Sequence, residues 1–202
     1  TAYSIGSLLS GGGSHPDVNE PQAWLDMYNK YQSESLKSRL QIPLIYGIDA
    51  VHGHNNVYGA TIFPQNIGLG ATNNPELIYK ISEATSIEVA ATGIDWTFSP
   101  CLSSPEDYRW GRTYEGFSSD PKRVEKLGEA AVMGYQNAKT SSGKSVVACA
   151  KHFIGDGNTE FGTGMRGLVD RGNTEINLDD LKLNLIPKYQ AAVDANTTVS
   201  LS

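Results

Sequence analysis

Nowhere in the 202 residues does an uninterrupted apolar run approach the about 18 side chains that a membrane-spanning helix needs. Clusters of positive charge are also missing. Sixteen Lys and Arg are scattered against 22 Asp and Glu, for a net charge of −6, which excludes a surface built to neutralise nucleic-acid phosphates. The start, Thr1-Ala2-Tyr3, has no initiator Met and lacks the charged and apolar regions of a signal peptide, so a processed or trimmed chain is expected. Cysteine is scarce. Cys101 and Cys149 both lie in apolar, strand-like runs, where two reduced buried thiols are the simpler expectation. A disulfide would require the two strands to be neighbours with suitable geometry. No Gly-x-Ser-x-Gly elbow anchors serine-hydrolase chemistry. Gly155 to Gly164 is glycine-rich but lacks the Gly-Lys-Ser/Thr ending of a phosphate loop. Asp156-Gly157-Asn158 opens like a calcium loop, yet Phe161 stands where Gly is needed and Gly167 where Glu is needed. His52 and His54 are two apart with no Cys or third His near them, so no metal site is expected there.

What the chain does contain is an alternation of short apolar runs with helical stretches. Strands are expected at Ser4 to Leu9, Leu44 to Ile48, Trp96 to Ser99, Val146 to Ala150 and Thr197 to Leu201. Helices are expected at Glu20 to Lys37 and Pro75 to Ala91, at Lys122 to Asn137, and from Asn177 to about Ala195. Asn74, Asp120 and Asn177 are the candidate N-caps, and Pro21, Pro75 and Pro121 sit at first helical positions. Strand–helix alternation implies a mostly parallel sheet, either open and doubly wound or closed as an eight-stranded βα barrel. A whole barrel takes about 250 residues, so five strands would form only part of one. The segments Asp49 to Asn74 and Pro100 to Asp120 are long for connecting loops, and barrel enzymes build their sites from long loops after strands.

Parallel strands all end on one side. There the sequence carries Asp49, Pro100 leading to Arg109 and Arg112, and Lys151-His152. Charges gathered this way make a poor core but a good grip on hydroxyl groups. A carboxylate accepts their protons, and Arg and Lys supply donors. Each has a plainer reading. Asp49 could cap a turn, Arg112 and Glu115 could be a local ion pair, and His152 could be a satisfied structural histidine. Lys151 is harder to dismiss, because Val147, Cys149 and Lys151 alternate onto one face. Trp24 and Trp96 read as core residues. Trp110, in a polar loop, could stack on a sugar face.

At these same residues the chain resembles glycoside hydrolase family 3, in its β-glucosidase and exo-β-glucanase branch. The matching segments are Ile42-Pro43-Leu44-Ile45-Tyr46-Gly47-Ile48-Asp49-Ala50-Val51-His52-Gly53, Phe63-Pro64-Gln65-Asn66 and Trp96-Thr97-Phe98-Ser99-Pro100. Arg109-Trp110-Gly111-Arg112-Thr113-Tyr114-Glu115 with Ser119-Asp120-Pro121, and Ala150-Lys151-His152-Phe153-Ile154-Gly155-Asp156-Gly157, complete the set in family order. Gly6 to Ser14 is similar to the first strand and turn of that branch. Two departures stand out. Ser119 replaces a Glu the family often has, and Gly155-Asp156-Gly157 differs from the Gly-His-Gly of the N-acetylglucosaminidase branch.

The resemblance implies an α/β fold that is a partial (β/α)8 TIM-type barrel of about five strands and four helices, truncated at both ends. Residues 1–202 would be the N-terminal portion of the barrel domain. It implies a retaining hydrolase of terminal β-D-glucosyl residues in which Asp49, Arg112, Lys151 and His152 bind the sugar. Nucleophile and acid/base are expected beyond Ser202, so no catalytic residue, metal or cofactor is assigned within the chain. The implied partners are a β-glucoside or β-glucan oligosaccharide and the remainder of the same enzyme, with no nucleic acid and no membrane. Another family 3 specificity such as β-xylosidase, or a non-catalytic carbohydrate-binding piece, are the alternatives. Asn196-Thr197-Thr198 is an N-glycosylation pattern that, with the resemblance, suggests a secreted, periplasmic or lysosomal location.

Overall fold

The computed structural model describes residues 5–196 and, in backbone only, 198 and 199. The expected strand start at Ser4, Thr197 of the glycosylation pattern, and residues 200–202 lie outside the described residues. The strands are β1 (Ser7–Ser10), β2 (Ile45–Ile48), β3 (Trp96–Thr97), β4 (Cys149–Ala150) and β5 (Thr198–Val199). β1 pairs with β2 and β2 with β3, all parallel, with Ser7 opposite Ile45 and Gly47 opposite Trp96. β4 pairs with β5 in the same sense. The two ladders are stitched together by parallel bridges from Trp96 to Val147 and from Cys101 to Lys151. Thr97 N donates to Val147 O at 3.0 Å, and Cys149 N donates to Ser99 O at 2.8 Å. The spatial order is therefore the chain order, and all strand C-termini point one way.

The helices are α1 (Pro21–Ser35), α2 (Asn66–Ala71), α3 (Pro75–Ala91), α4 (Pro121–Asn137), α5 (Leu178–Asp180) and α6 (Ile186–Asp194). Three begin where short polar side chains satisfy orphan amides. Asn74 Oδ1 accepts from Leu77 N at 3.1 Å, Asp120 Oδ1 from Lys122 N at 3.0 Å, and Asn177 Oδ1 from Asp180 N at 2.8 Å. Between α5 and α6 the helix widens into a π stretch, Leu181–Leu185, in which Ile186 N reaches Leu181 O. Pro187 follows directly. Proline cannot donate and clashes with the carbonyl four residues back, and the wider turn accommodates it.

Two apolar clusters hold these layers. Trp24, Tyr46, Ile48, Val89 and Ile94 join α1, β2 and α3. Leu102, Val124, Leu127, Tyr135, Ala148 and Tyr189 join the β3–α4 loop, α4, β4 and α6. Full burial of side chains such as Ile48, Leu102 and Leu127 stabilises by about 1.5–3 kcal/mol each relative to exposure. α3 and α4 approach closely at Gly134, where an added Cβ would sit 2.4 Å from Tyr79 O. Cys101 and Cys149 are buried free thiols.

Candidate functional site

The site gathers at the C-terminal ends of β2, β3 and β4. Asp49 is the first residue beyond β2, and hydrogen bonds on both sides fix its peptide. Asn56 Nδ2 donates to Asp49 O at 2.8 Å. The next carbonyl, Ala50 O, accepts from Ser99 Oγ at 3.1 Å and from Tyr135 Oη of α4 at 3.3 Å. Lys151 is the first residue beyond β4. Its amine donates to Asp49 Oδ1 at 2.6 Å across 102 positions of sequence. The Lys151 side chain is 8% exposed and that of Asp49 is 44% exposed. A buried ammonium thus holds one oxygen of a carboxylate whose other oxygen is left for a ligand hydroxyl.

Arg112 comes from the long β3–α4 loop, where a 3-10 turn at Thr113–Glu115 brings it back onto Glu115. The pair is bidentate, with Nε to Oε1 at 2.6 Å and Nη2 to Oε2 at 2.8 Å. Glu115 O in turn accepts from the buried Asn66 Nδ2 at 2.9 Å, so α2 braces the turn. The hydrogen bonds to Glu115 raise the Arg112 pKa further above its ordinary value. The local ion pair allowed for in the sequence is therefore real, and it leaves the guanidinium beside His152, with Nη2 3.1 Å from Nε2.

His152 Nδ1 meets Asp156 Oδ2, and its own carbonyl accepts from Tyr189 Oη at 2.7 Å. Burial works against charge on this imidazole, but Asp156 and the Cys101 thiol outweigh it and raise the pKa to about 9. Arg112 acts in opposition. A guanidinium only donates, so its contact with Nε2 requires that nitrogen to be unprotonated. The contacts are those of a neutral imidazole carrying its proton on Nδ1, and charging it requires Arg112 to move away. Beneath the site Lys188 of α6 is 2% exposed and donates to Ser104 Oγ at 2.6 Å. Burial pulls its pKa down to about 8. The Ser99–Pro100, Lys151–His152 and Phe153–Ile154 peptides are cis.

Asp49, Arg112 and Lys151 line one cavity of about 280 Å³, together with His52, Gln65 and Tyr114. His152 is tied to it through Arg112. His52 Nδ1 donates to Phe63 O at 2.8 Å, so its Nε2 accepts from Gln65 Nε2 at 3.2 Å. That fixed orientation makes Gln65 a further wall of the cavity.

Three sequence expectations resolve differently. Arg109 does not join the cavity. Asp107 holds it by a bidentate contact with Nε to Oδ1 at 2.9 Å, and its guanidinium lies 3.8 Å over the Phe161 ring. Trp110 is 3% exposed and packs against Gly157, where an added Cβ would stand 3.1 Å from its ring, so it presents no open face to a sugar. His54 is buried against Trp24 at 6.4 Å and bonds Thr92 Oγ1 at 3.0 Å, away from His52. Asp156, Gln65, Lys188 and Tyr189 are not singled out as site residues by the sequence. Only Asp156 and Gln65 leave a signal there, by standing inside the matched motifs.

Cys101, His152 and Asp156 offer ligand atoms within 4.8 Å of one another. Both nitrogens of His152 are engaged, and the Arg112 guanidinium beside them repels a cation. This cluster is better read as a hydrogen-bonded support for His152 than as a metal site.

Comparison with known proteins gives a consistent result. The family model described as the glycosyl hydrolase family 3 N-terminal domain matches residues 1–201. A lysosomal β-glucosidase of Dictyostelium discoideum is 40% identical over 164 residues, covering 76% of this chain and 20% of its own length. The exo-1,3/1,4-β-glucanase of a Pseudoalteromonas species superposes with a TM-score of 0.87 at 41% identity, covering 99% of this chain and 26% of that one. The Listeria innocua β-glucosidase in complex with glucose superposes at 0.79 with 29% identity, covering 98% of this chain and 25% of that one. The chain thus spans about a fifth to a quarter of the length of these relatives.

Proposed function

The chain belongs to glycosyl hydrolase family 3 as its N-terminal domain, and from that premise we propose that it is the sugar-gripping part of a retaining β-glucosidase or exo-β-glucanase. The observation that carries this reading is the Lys151–Asp49 contact of 2.6 Å at the wall of a cavity of about 280 Å³. Asp49 accepts hydroxyl protons of a terminal glucosyl unit. Lys151 and Arg112 donate to its oxygens, and His152 keeps Arg112 aimed. These contacts tighten as the ring distorts toward the oxocarbenium-like transition state, where they contribute several kcal/mol. A retaining mechanism needs two carboxyl groups about 5–5.5 Å apart, one as nucleophile and one as acid/base. Glu115 and Asp156 are committed to Arg112 and His152, so both catalytic carboxylates are assigned to the remainder of the enzyme.

Residues 1–202 are proposed to form the first five strands of a (β/α)8 barrel. The unbroken chain order of the strands supports this, because a doubly wound sheet reverses its order at a switch point. The substrate is a β-glucoside or β-glucan end. The lysosomal relative supports a secreted, periplasmic or lysosomal location. Among the described residues no helix is long and apolar enough to cross a membrane.

The test is Asp49→Ala in the complete enzyme, assayed on aryl β-glucoside and on aryl β-xyloside. A fall of about 10²-fold in kcat/KM on glucoside is expected. Near-wild-type kcat/KM overturns the assignment of Asp49, and a strong preference for xyloside overturns the glucosidase branch.

A further inference from the structure

The two loops that carry Arg112 and His152 also build a second, larger depression of about 750 Å³. The β3–α4 loop contributes Asp107, Tyr108 and Arg109, and the loop after β4 contributes Gly157 to Phe161, with Glu175 closing one side. The mechanism uses none of these residues. The depression borders the sugar cavity in sequence and in packing. Arg109 is three residues from Arg112, Gly157 follows Asp156, and Trp110 packs against Gly157 between the two loops.

Its construction resembles a stacking platform. Phe161 is 51% exposed although it lies in a glycine-flanked polar loop, a placement that nothing in the core requires. One face of its ring is covered by the Arg109 guanidinium at 3.8 Å. Arg109 is itself clamped by Asp107 through two nitrogens, with Nε to Oδ1 at 2.9 Å and Nη2 to Oδ2 at 2.5 Å. A ring backed by a fixed planar cation is held in orientation without burying its other face. Tyr108, 72% exposed, adds a second aromatic wall. Glu160 and Glu175 stand at the rim. Carboxylates outnumber the one guanidinium, which disfavours an anionic occupant and favours hydroxyl donors. An apolar ring face edged by hydroxyls is the surface of a pyranose.

We infer that this depression binds a further saccharide unit of a neutral β-glucan chain whose terminal unit sits in the Asp49–Lys151 cavity, with Phe161 as the stacking residue. The inference rests on the glucosidase reading for its direction along the chain. It makes preference for oligosaccharides over small glucosides a property of these two loops.

The experiment uses the complete enzyme and its Phe161→Ala and Phe161→Tyr variants. Two quantities are read: the kcat/KM ratio of a β-glucan trisaccharide over methyl β-glucoside, and calorimetric affinity for a thio-linked trisaccharide that cannot be cleaved. Phe161→Ala is expected to lower the ratio about tenfold, mainly through KM, and to weaken calorimetric binding about tenfold. Phe161→Tyr is expected to restore most of both. Equal losses on both substrates, or unchanged calorimetric affinity, overturn the platform. If the wild type cleaves no β-glucoside yet the calorimetric difference persists, the platform stands and the cleavage reading fails.

Discussion

His54 is wholly buried, and its protonation is coupled to folding. Thr92 Oγ1 already donates to Val89 O, so His54 Nε2 must be the donor to Thr92 and the ring is neutral. Burial lowers its pKa to about 4, from an ordinary value of 6.5. Between these two values the unfolded chain takes up a proton that the folded state refuses. The result is a stability penalty that is absent above about pH 6.5, grows as pH falls, and reaches about 3 kcal/mol below pH 4. His54→Gln keeps a donor without the titration. Melting temperature is expected to fall less steeply from pH 6.5 to 4 in that variant of the complete enzyme than in wild type, and parallel slopes contradict the assignment. At this scale the sequence was readable wherever a polar residue ended an apolar run. Asp49 and Lys151 are such cases, and they meet. Arg109 and Trp110 share the motif of Arg112 but were claimed by neighbours from another loop, Phe161 and Gly157, whose approach no local pattern encodes. Lys188 looks like an ordinary helix-surface lysine until the β3–α4 loop folds over it.

Helices were legible through their ends. Asn74, Asp120 and Asn177 each cap as expected, because capping depends on residues only two or three positions apart. α2 was not legible. Its sequence Asn66 to Ala71 contains two glycines and no amphipathic repeat, and its buried residues, Asn66 and Leu69 among them, take their place from the turn it braces. The last helix read as one regular run, whereas Pro187 imposes the π widening at Leu181–Leu185. β3 and β4 are shorter than their apolar runs, because the chain bends at Ser99–Pro100 and beyond Lys151 to form the site. Contact between elements gives a sharper test. In Gly134→Ala the new methyl meets the α3 backbone at Tyr79, and overpacking there is expected to cost about 1–3 kcal/mol. The measurement is the denaturant midpoint of the complete enzyme. An unchanged or raised midpoint contradicts the close α3–α4 approach.

Across the molecule, apolar surface is left open at both flanks of the sheet. Leu9, Leu40, Ile42 and Ile45 are each more than half exposed beside β1, where a groove of about 670 Å³ runs along α1. Leu178 and Leu183 are similarly exposed beside α6. Such patches mark surfaces that another part of a fold covers. Expressed alone, the 202 residues are expected to bind a hydrophobic dye and melt without cooperativity, while a sharp melt as a monomer contradicts this. The alternation of strands and helices made the parallel sheet legible, but two windings of that sheet fit it equally well. Only the spatial order of the strands, which no local pattern records, separates them. Everything functional follows from that order, since it brings Asp49 and Lys151 together from the ends of β2 and β4. The most direct measurement is a crystal structure of the complete enzyme with glucose bound. The pyranose is expected in the cavity, with Asp49 and Lys151 each within about 3 Å of its hydroxyls. A pyranose bound elsewhere, with the Asp49–Lys151 pair untouched, contradicts the account.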